Sequence, residues 1–134
     1  MRWRDERTVS YRWIYDENAW GPGVLDSHRQ SLVRLLGIAR AANVPLTVLL
    51  LPERDQVYGS FSDLPNRRLV ALFHSLEIPA LDLLPALRVA AVSDPDLYHN
   101  APAGHLSPSG HALVAAVLSA HLSAAPVPNK RRRE

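Results

Sequence analysis

The 134-residue chain contains no cysteine. That absence excludes a disulfide scaffold, a thiolate metal site and a cysteine nucleophile, while leaving the compartment open. Long apolar runs are also missing. The longest, Val44 to Pro52, is interrupted by Pro45 and Thr47 and falls far short of the ~20 residues that a membrane-spanning helix needs. The opening Met1 to Arg7 is charged and has no apolar stretch behind it, so no signal peptide is expected and the cytoplasm is the default compartment. There is no glycine-rich phosphate loop, dinucleotide fingerprint, kinase signature or internal repeat. His-x-x-x-His and His-x-His spacings are absent despite six histidines, so no metal or cofactor is expected. Aromatics make up only 7% of the chain, yet Trp3, Trp13 and Trp20 all fall in its first stretch. Such a cluster either packs on something or forms an exposed patch.

What remains is an ordinary globular composition, 47% hydrophobic and 21% charged. It argues against a disordered chain, a collagen-like repeat or a coiled-coil rod. The length predicts one domain. The isoelectric point of about 9.4 suggests a basic protein, but the excess is local. Taking Lys130, Arg131, Arg132 and Arg133 from the 15 basic residues, and Glu134 from the 13 acidic ones, leaves 11 against 12. A near-neutral body argues against a nucleic-acid partner, which calls for basic residues across a face.

Residues 1–26 read as an aromatic-rich arm, with a strand expected over Thr8 to Tyr15 and a loop at Gly21-Pro22-Gly23. Residues 27–43 read as a helix capped by Asp26 or Ser27. Its apolar face is Leu32, Leu35, Leu36 and Ala39, and Asn43 is its left-handed stop. Leu46 to Leu51 reads as a strand with both faces apolar, the pattern of a covered parallel sheet. Glu53 to Asp63 reads as a loop whose Arg54, Gln56 and Tyr58 face a ligand cleft or, alternatively, solvent and core. A helix is predicted over 65–76, a strand over Ile78 to Leu81, a short helix over Leu83 to Ala91 and a polar loop over Ser93 to Gly104. The last helix is predicted over 108–122, with Leu113, Ala116, Val117 and Ala120 inward, followed by a disordered basic tail at 123–134. Alternating strands and helices imply an α/β class with an incomplete, doubly wound parallel sheet of two or three strands.

The strongest local signal is Gly104-His105-Leu106-Ser107-Pro108-Ser109-Gly110-His111. It places a histidine in a loop just before a helix, a good position for a general base. This segment resembles the last block of the SGNH/GDSL hydrolase superfamily, in which the catalytic histidine precedes a short Pro-x-Gly-His turn into the final helix. The stretches Val48 to Pro52, Gln56 to Tyr58 and Ile78 to Pro85 resemble late strands of the branch that includes alginate O-acetyltransferase-like proteins. The resemblance covers roughly residues 28–122. It implies a flavodoxin-like fold, His105 as catalytic base, a capping role for Asp82, and acyl transfer on an ester or O-acetylated small molecule or carbohydrate.

Two departures stand out. The positions that usually supply the acid orienting the histidine hold Pro102 and Ala103, leaving Asp94 and Asp96 to fold back instead. The Gly-Asp-Ser nucleophile block and the glycine and asparagine oxyanion blocks are absent, and Ser60 and Ser62 read as turn residues. Two functional expectations follow. One is an SGNH-type esterase or O-acyltransferase region with His105 as base and a serine from elsewhere. The other is a non-catalytic, truncated or degenerate relative that packs on another polypeptide or on itself.

Overall fold

A computed structural model of the chain describes residues 12–99 and 104–124. Of the tail expected at 123–134, Ser123 and Ala124 are instead the end of the last helix, while residues 125–134, and the first four residues of the expected Thr8–Tyr15 strand, lie outside the described residues. The described half of that strand, Arg12–Tyr15, is instead a 3₁₀ turn, followed by a second one at Glu17–Trp20. Asp16 caps the second turn by accepting from the Asn18 amide. The half-buried Trp20 indole donates back to the Ile14 carbonyl, and Tyr15 packs against Phe61 with ring centroids 4.7 Å apart. Local side-chain acceptors thus outcompete β-propensity, which is a weak preference without a partner strand.

Helix α1 spans Pro22–Ala41 and begins five residues before the expected start. The expected Gly-Pro-Gly loop is helical from its proline, because Pro22 occupies the first turn, where a missing N–H costs nothing. Ser27 is no cap, and its hydroxyl donates to the Val24 carbonyl inside the helix. Asn43 does stop the helix, with φ of 54°. Strand β1 is Val48–Leu50 and strand β2 is Ala80–Asp82; they pair in parallel, Val48 opposite Ala80 and Leu50 opposite Asp82. Between them lie α2, Arg54–Tyr58, and α3, Leu64–Ser75. The short α2 replaces part of the expected loop. Its capping box explains it: Gln56 Oε1 accepts from the Glu53 amide while the Glu53 side chain accepts from the Gln56 amide. Helices α4, Leu84–Ala91, and α5, Pro108–Ala124, complete the order.

The architecture is α/β, with a two-stranded parallel sheet among the described residues. The core lies at the end of the sheet where α2, α4 and α5 meet. Val57, Leu83, Leu84, Leu87, Leu97, Tyr98 and Leu106 are buried there, with Leu113, Val114 and Val117 of α5 packed against them. Ala116 and Ala120, expected inward, are exposed, because the buried side of α5 is rotated toward Val114. Phe73, Leu72 and Ile78 are buried on the α3 side.

Coverage falls away from this end. Every residue of β1 and β2 is only half-buried, against the expectation of two covered faces. No residue of α1 with a described side chain is buried, and Leu35 of its expected core face is exposed. Ile38 is 68% exposed and Val92 at the end of α4 is 89% exposed. Among the described residues no helix is long and apolar enough to cross a membrane.

Candidate functional site

Helix α5 is seated by its first turn. Ser107 Oγ accepts from the Gly110 amide at 3.2 Å, three residues on, which is N-cap geometry. Gly110 allows the helix to press onto the preceding loop: a Cβ there would lie 2.1 Å from the Leu97 carbonyl oxygen and 2.9 Å from Leu106 Cδ2. The Ser107 amide donates to Leu97 O at 2.9 Å, the His99 amide donates to His105 O at 2.8 Å, and Tyr98 and Leu106 form an antiparallel bridge. Ser107 and Ser109 share a hydroxyl hydrogen bond of 2.9 Å, and Ser109 Oγ donates to Asp96 O.

Two tyrosines lock this loop to the end of β1. The buried Tyr98 hydroxyl donates to Pro52 O at 2.7 Å. Tyr58 Oη donates to Asp94 O at 3.2 Å and accepts from the Leu97 amide at 3.0 Å. The two rings meet edge to face, 6.2 Å apart. Burial, and after it the neighbouring Tyr58, pushes the Tyr98 phenol up to about 12. Tyr15, which donates to Glu53 Oε2, is also raised, first by burial and then by the Glu53 charge.

His105 stands on this pinned turn with its side chain exposed, beyond the C-terminal end of β1. Its predecessor Gly104 has φ of 56°, a left-handed conformation that favours glycine, and lies directly over Arg54. The position of the expected base is therefore accessible. Its expected partners are not gathered around it. The Asp94 carboxylate accepts from the Asp96 amide in a local turn, and among the described residues neither aspartate pairs with His105; Pro102 and Ala103 lie outside them. Ser62 Oγ accepts from the Leu64 amide, as a turn residue should, and Ser60 is exposed. Asp96, Tyr98, His99, Ser107, Pro108 and Ser109 line an open groove of about 430 Å³, and His105 stands outside it. Among the described residues no group of histidines and acids is arranged to hold a metal ion.

Of the cleft candidates, Gln56 belongs to the interior. It is 3% exposed and heads a chain of hydrogen bonds that tie α2, α3, β2 and α4 together. Gln56 Nε2 donates to Asn66 Oδ1 at 2.9 Å and to Ser62 O at 3.1 Å. Asn66 Nδ2 donates to Asp82 Oδ1 at 2.7 Å, and the same oxygen accepts from the Leu84 amide at 3.0 Å; Asp82 thus ties down the start of α4 from one residue before its N-cap, which is Leu83 and not Asp82 as the capping expectation had it. Arg88 Nε closes the far side by donating to Gln56 O at 2.9 Å. Sequence reasoning missed Asn66. A polar residue on the first turn of an apolar-striped helix, facing a strand-end aspartate, was the available signal. Tyr58 likewise serves the fold, and Arg54 is the one cleft candidate left near His105.

No protein-family model matches the chain, and searches of curated proteins and of solved structures return no significant match.

Proposed function

We propose that the chain is the base-bearing part of an SGNH-type ester hydrolase or O-acyltransferase with a flavodoxin-like sheet. In this reading His105 serves a serine supplied by a polypeptide segment that completes the sheet. The observation that carries it is the exposed His105 on a turn locked to the C-terminal end of a parallel strand, where open α/β sheets hold their ligands. The half-buried strands and bare α1 supply the second support, since parallel sheets are ordinarily covered on both faces.

The chemistry is acyl transfer from an ester or O-acetylated small molecule or carbohydrate. The serine hydroxyl gives its proton to the imidazole as its oxygen attacks the ester carbonyl carbon. The tetrahedral intermediate collapses, breaking the bond to the alcohol oxygen, which leaves with the proton from the imidazolium. Water or an acceptor hydroxyl then repeats the cycle on the acyl-serine. The test is p-nitrophenyl acetate turnover by the native assembly containing this chain. His105→Ala should lower the rate by about 10²–10⁴-fold, the usual contribution of a general base; an unchanged rate refutes the assignment.

One observation favours the second reading, a non-catalytic relative that packs on another polypeptide. Among the described residues no carboxylate orients His105, and a base without an orienting group and oxyanion donors does little chemistry. Sedimentation separates this reading from an independent domain: a monomeric 14.9 kDa species that melts cooperatively counts against any obligate packing partner.

A further inference from the structure

We propose that the outer edge of β1, together with the helix α1 that leads into it, is a docking site for an extended acidic segment of another polypeptide, which adds to the sheet as a third strand. The inference rests on the reading that a separate segment completes the sheet, and names the edge it uses and the chemistry it carries.

The hydrogen bonds of the sheet show which main-chain groups are already engaged. In the parallel register Val48 lies opposite Ala80, Leu49 opposite Leu81 and Leu50 opposite Asp82. The Val48 amide donates to Pro79 O at 2.9 Å, and Leu50 O accepts from the Leu83 amide at 3.1 Å. In such a ladder alternate residues turn both main-chain groups to the same neighbour. Val48 and Leu50 therefore face β2, while Thr47, Leu49 and Leu51 turn their amides and carbonyls to the opposite side. Among the described residues no third strand pairs there. Leu49 is half-buried with its side chain packed on the core, and main-chain groups at such a depth call for partners. An added peptide strand supplies donors and acceptors at that repeat.

The two edges of the sheet differ. Strand β2 is approached through Glu77 and ends on Asp82, and the Ile78 amide is bonded to Phe73 O of α3. Charged residues of this kind blunt an edge against pairing. No charged residue stands between Arg40 and Glu53, so β1 has no such guard. Exposed large apolar side chains gather in the same stretch of chain: Val24, Val33, Leu35, Ile38, Val44 and Leu51.

Charge selects the occupant. Arg40, Arg54, Arg67 and Arg68 each pair with an acid, and Arg88 is bonded to two carbonyls. Arg29 and Arg34 of α1 pair with no acid among the described residues, and Asp26 is the sole acid of that helix. A second copy of this chain would bring the same arginines to the contact, whereas an acidic segment complements them.

Amide exchange of the full chain, read by NMR, tests the proposal with two synthetic peptides. Both have a Val-Thr-Val-Ile-Val centre; one carries Asp-Glu at each end and the other Lys-Lys. The acidic peptide should protect the Leu49 amide, while the Val48 amide, already bonded to Pro79 O, changes little. The lysine peptide should bind several-fold more weakly. Leu51→Lys, at an exposed edge position, should weaken the acidic peptide, and Arg29→Glu with Arg34→Glu should reverse the preference between the two. His105→Ala should bind as wild type does, so the docking proposal and the assignment of the base fail separately. Leu49 exchange unchanged by the acidic peptide overturns the proposal, as does equal binding of both peptides. So does a dimer in sedimentation whose Leu49 amide is protected without peptide, because the edge then takes a second copy.

Discussion

Replacing Gly110 by alanine should unseat α5, whereas the same replacement at Gly37 should strengthen the fold. At Gly110 the new methyl would meet the Leu97 carbonyl oxygen at 2.1 Å and Leu106 Cδ2 at 2.9 Å. The first obstacle is backbone, so no rotamer change relieves it. The helix and the loop must separate, which strains the Ser107–Leu97 and Gly110–Ser107 hydrogen bonds. Overpacking costs about 1–3 kcal/mol, and each lost hydrogen bond about 1 kcal/mol. Together these give roughly 3–5 kcal/mol, of which the gain in helix propensity returns less than about 1 kcal/mol. About 1 kcal/mol moves the melting temperature by some 4–8 °C in a 60–100-residue domain and 2–4 °C in one of 150–250 residues, so a drop of roughly 10 °C is expected for this chain. Gly37 lies inside α1, where an added methyl would meet nothing within 4 Å, and alanine there should gain about 0.5–1 kcal/mol. Thermal denaturation followed by circular dichroism compares the two variants directly. Equal melting temperatures, or a loss at Gly37 matching that at Gly110, would refute the close approach of α5 to its loop.

Asn66→Ala should cost about 1–3 kcal/mol in urea unfolding, because it leaves Gln56 and Asp82 short of a partner in a buried chain. Tyr58→Phe, which removes one hydroxyl serving two backbone groups, should cost about 1–2 kcal/mol by the same measurement and loosen the 94–97 turn. Alkaline unfolding should be sensitive to Tyr98. Its folded-state value, raised to about 12 from 10, favours the neutral phenol; its contribution is complete below pH 10 and is lost as pH rises toward 12. Tyr98→Phe should therefore melt lower at neutral pH yet lose less stability between pH 10 and 12. A parallel loss in both proteins would argue against that role.

The sequence was most legible where punctuation had one meaning. Pro65, Pro85 and Pro108 each fall in the first turn of a helix, and Asn43 ends one with positive φ. It was misleading where one residue serves two structures. Pro22 between two glycines reads as a turn but starts α1, since a proline suits both. Glu53 to Tyr58 is too short to show an apolar stripe, so α2 was hidden, although the Glu53 to Gln56 spacing of a capping box was there to be read. Periodicity located α5 but not its rotation, because alanines satisfy the pattern on either side and only packing chooses Val114 over Ala116. His105 was legible as a loop histidine before a helix. The approach of Gly104 to Arg54 beside it was not, because it joins segments 50 residues apart in sequence.

Whether His105 acts as base for a serine outside the segments described is decided by fluorophosphonate labelling of the native assembly, with and without His105→Ala. The probe reacts only with a serine activated by its base. A labelled serine is expected on the polypeptide segment that completes the sheet, with labelling lost in His105→Ala. A labelled serine unaffected by His105→Ala, or no labelled serine in the native assembly, would rule out His105 as that base.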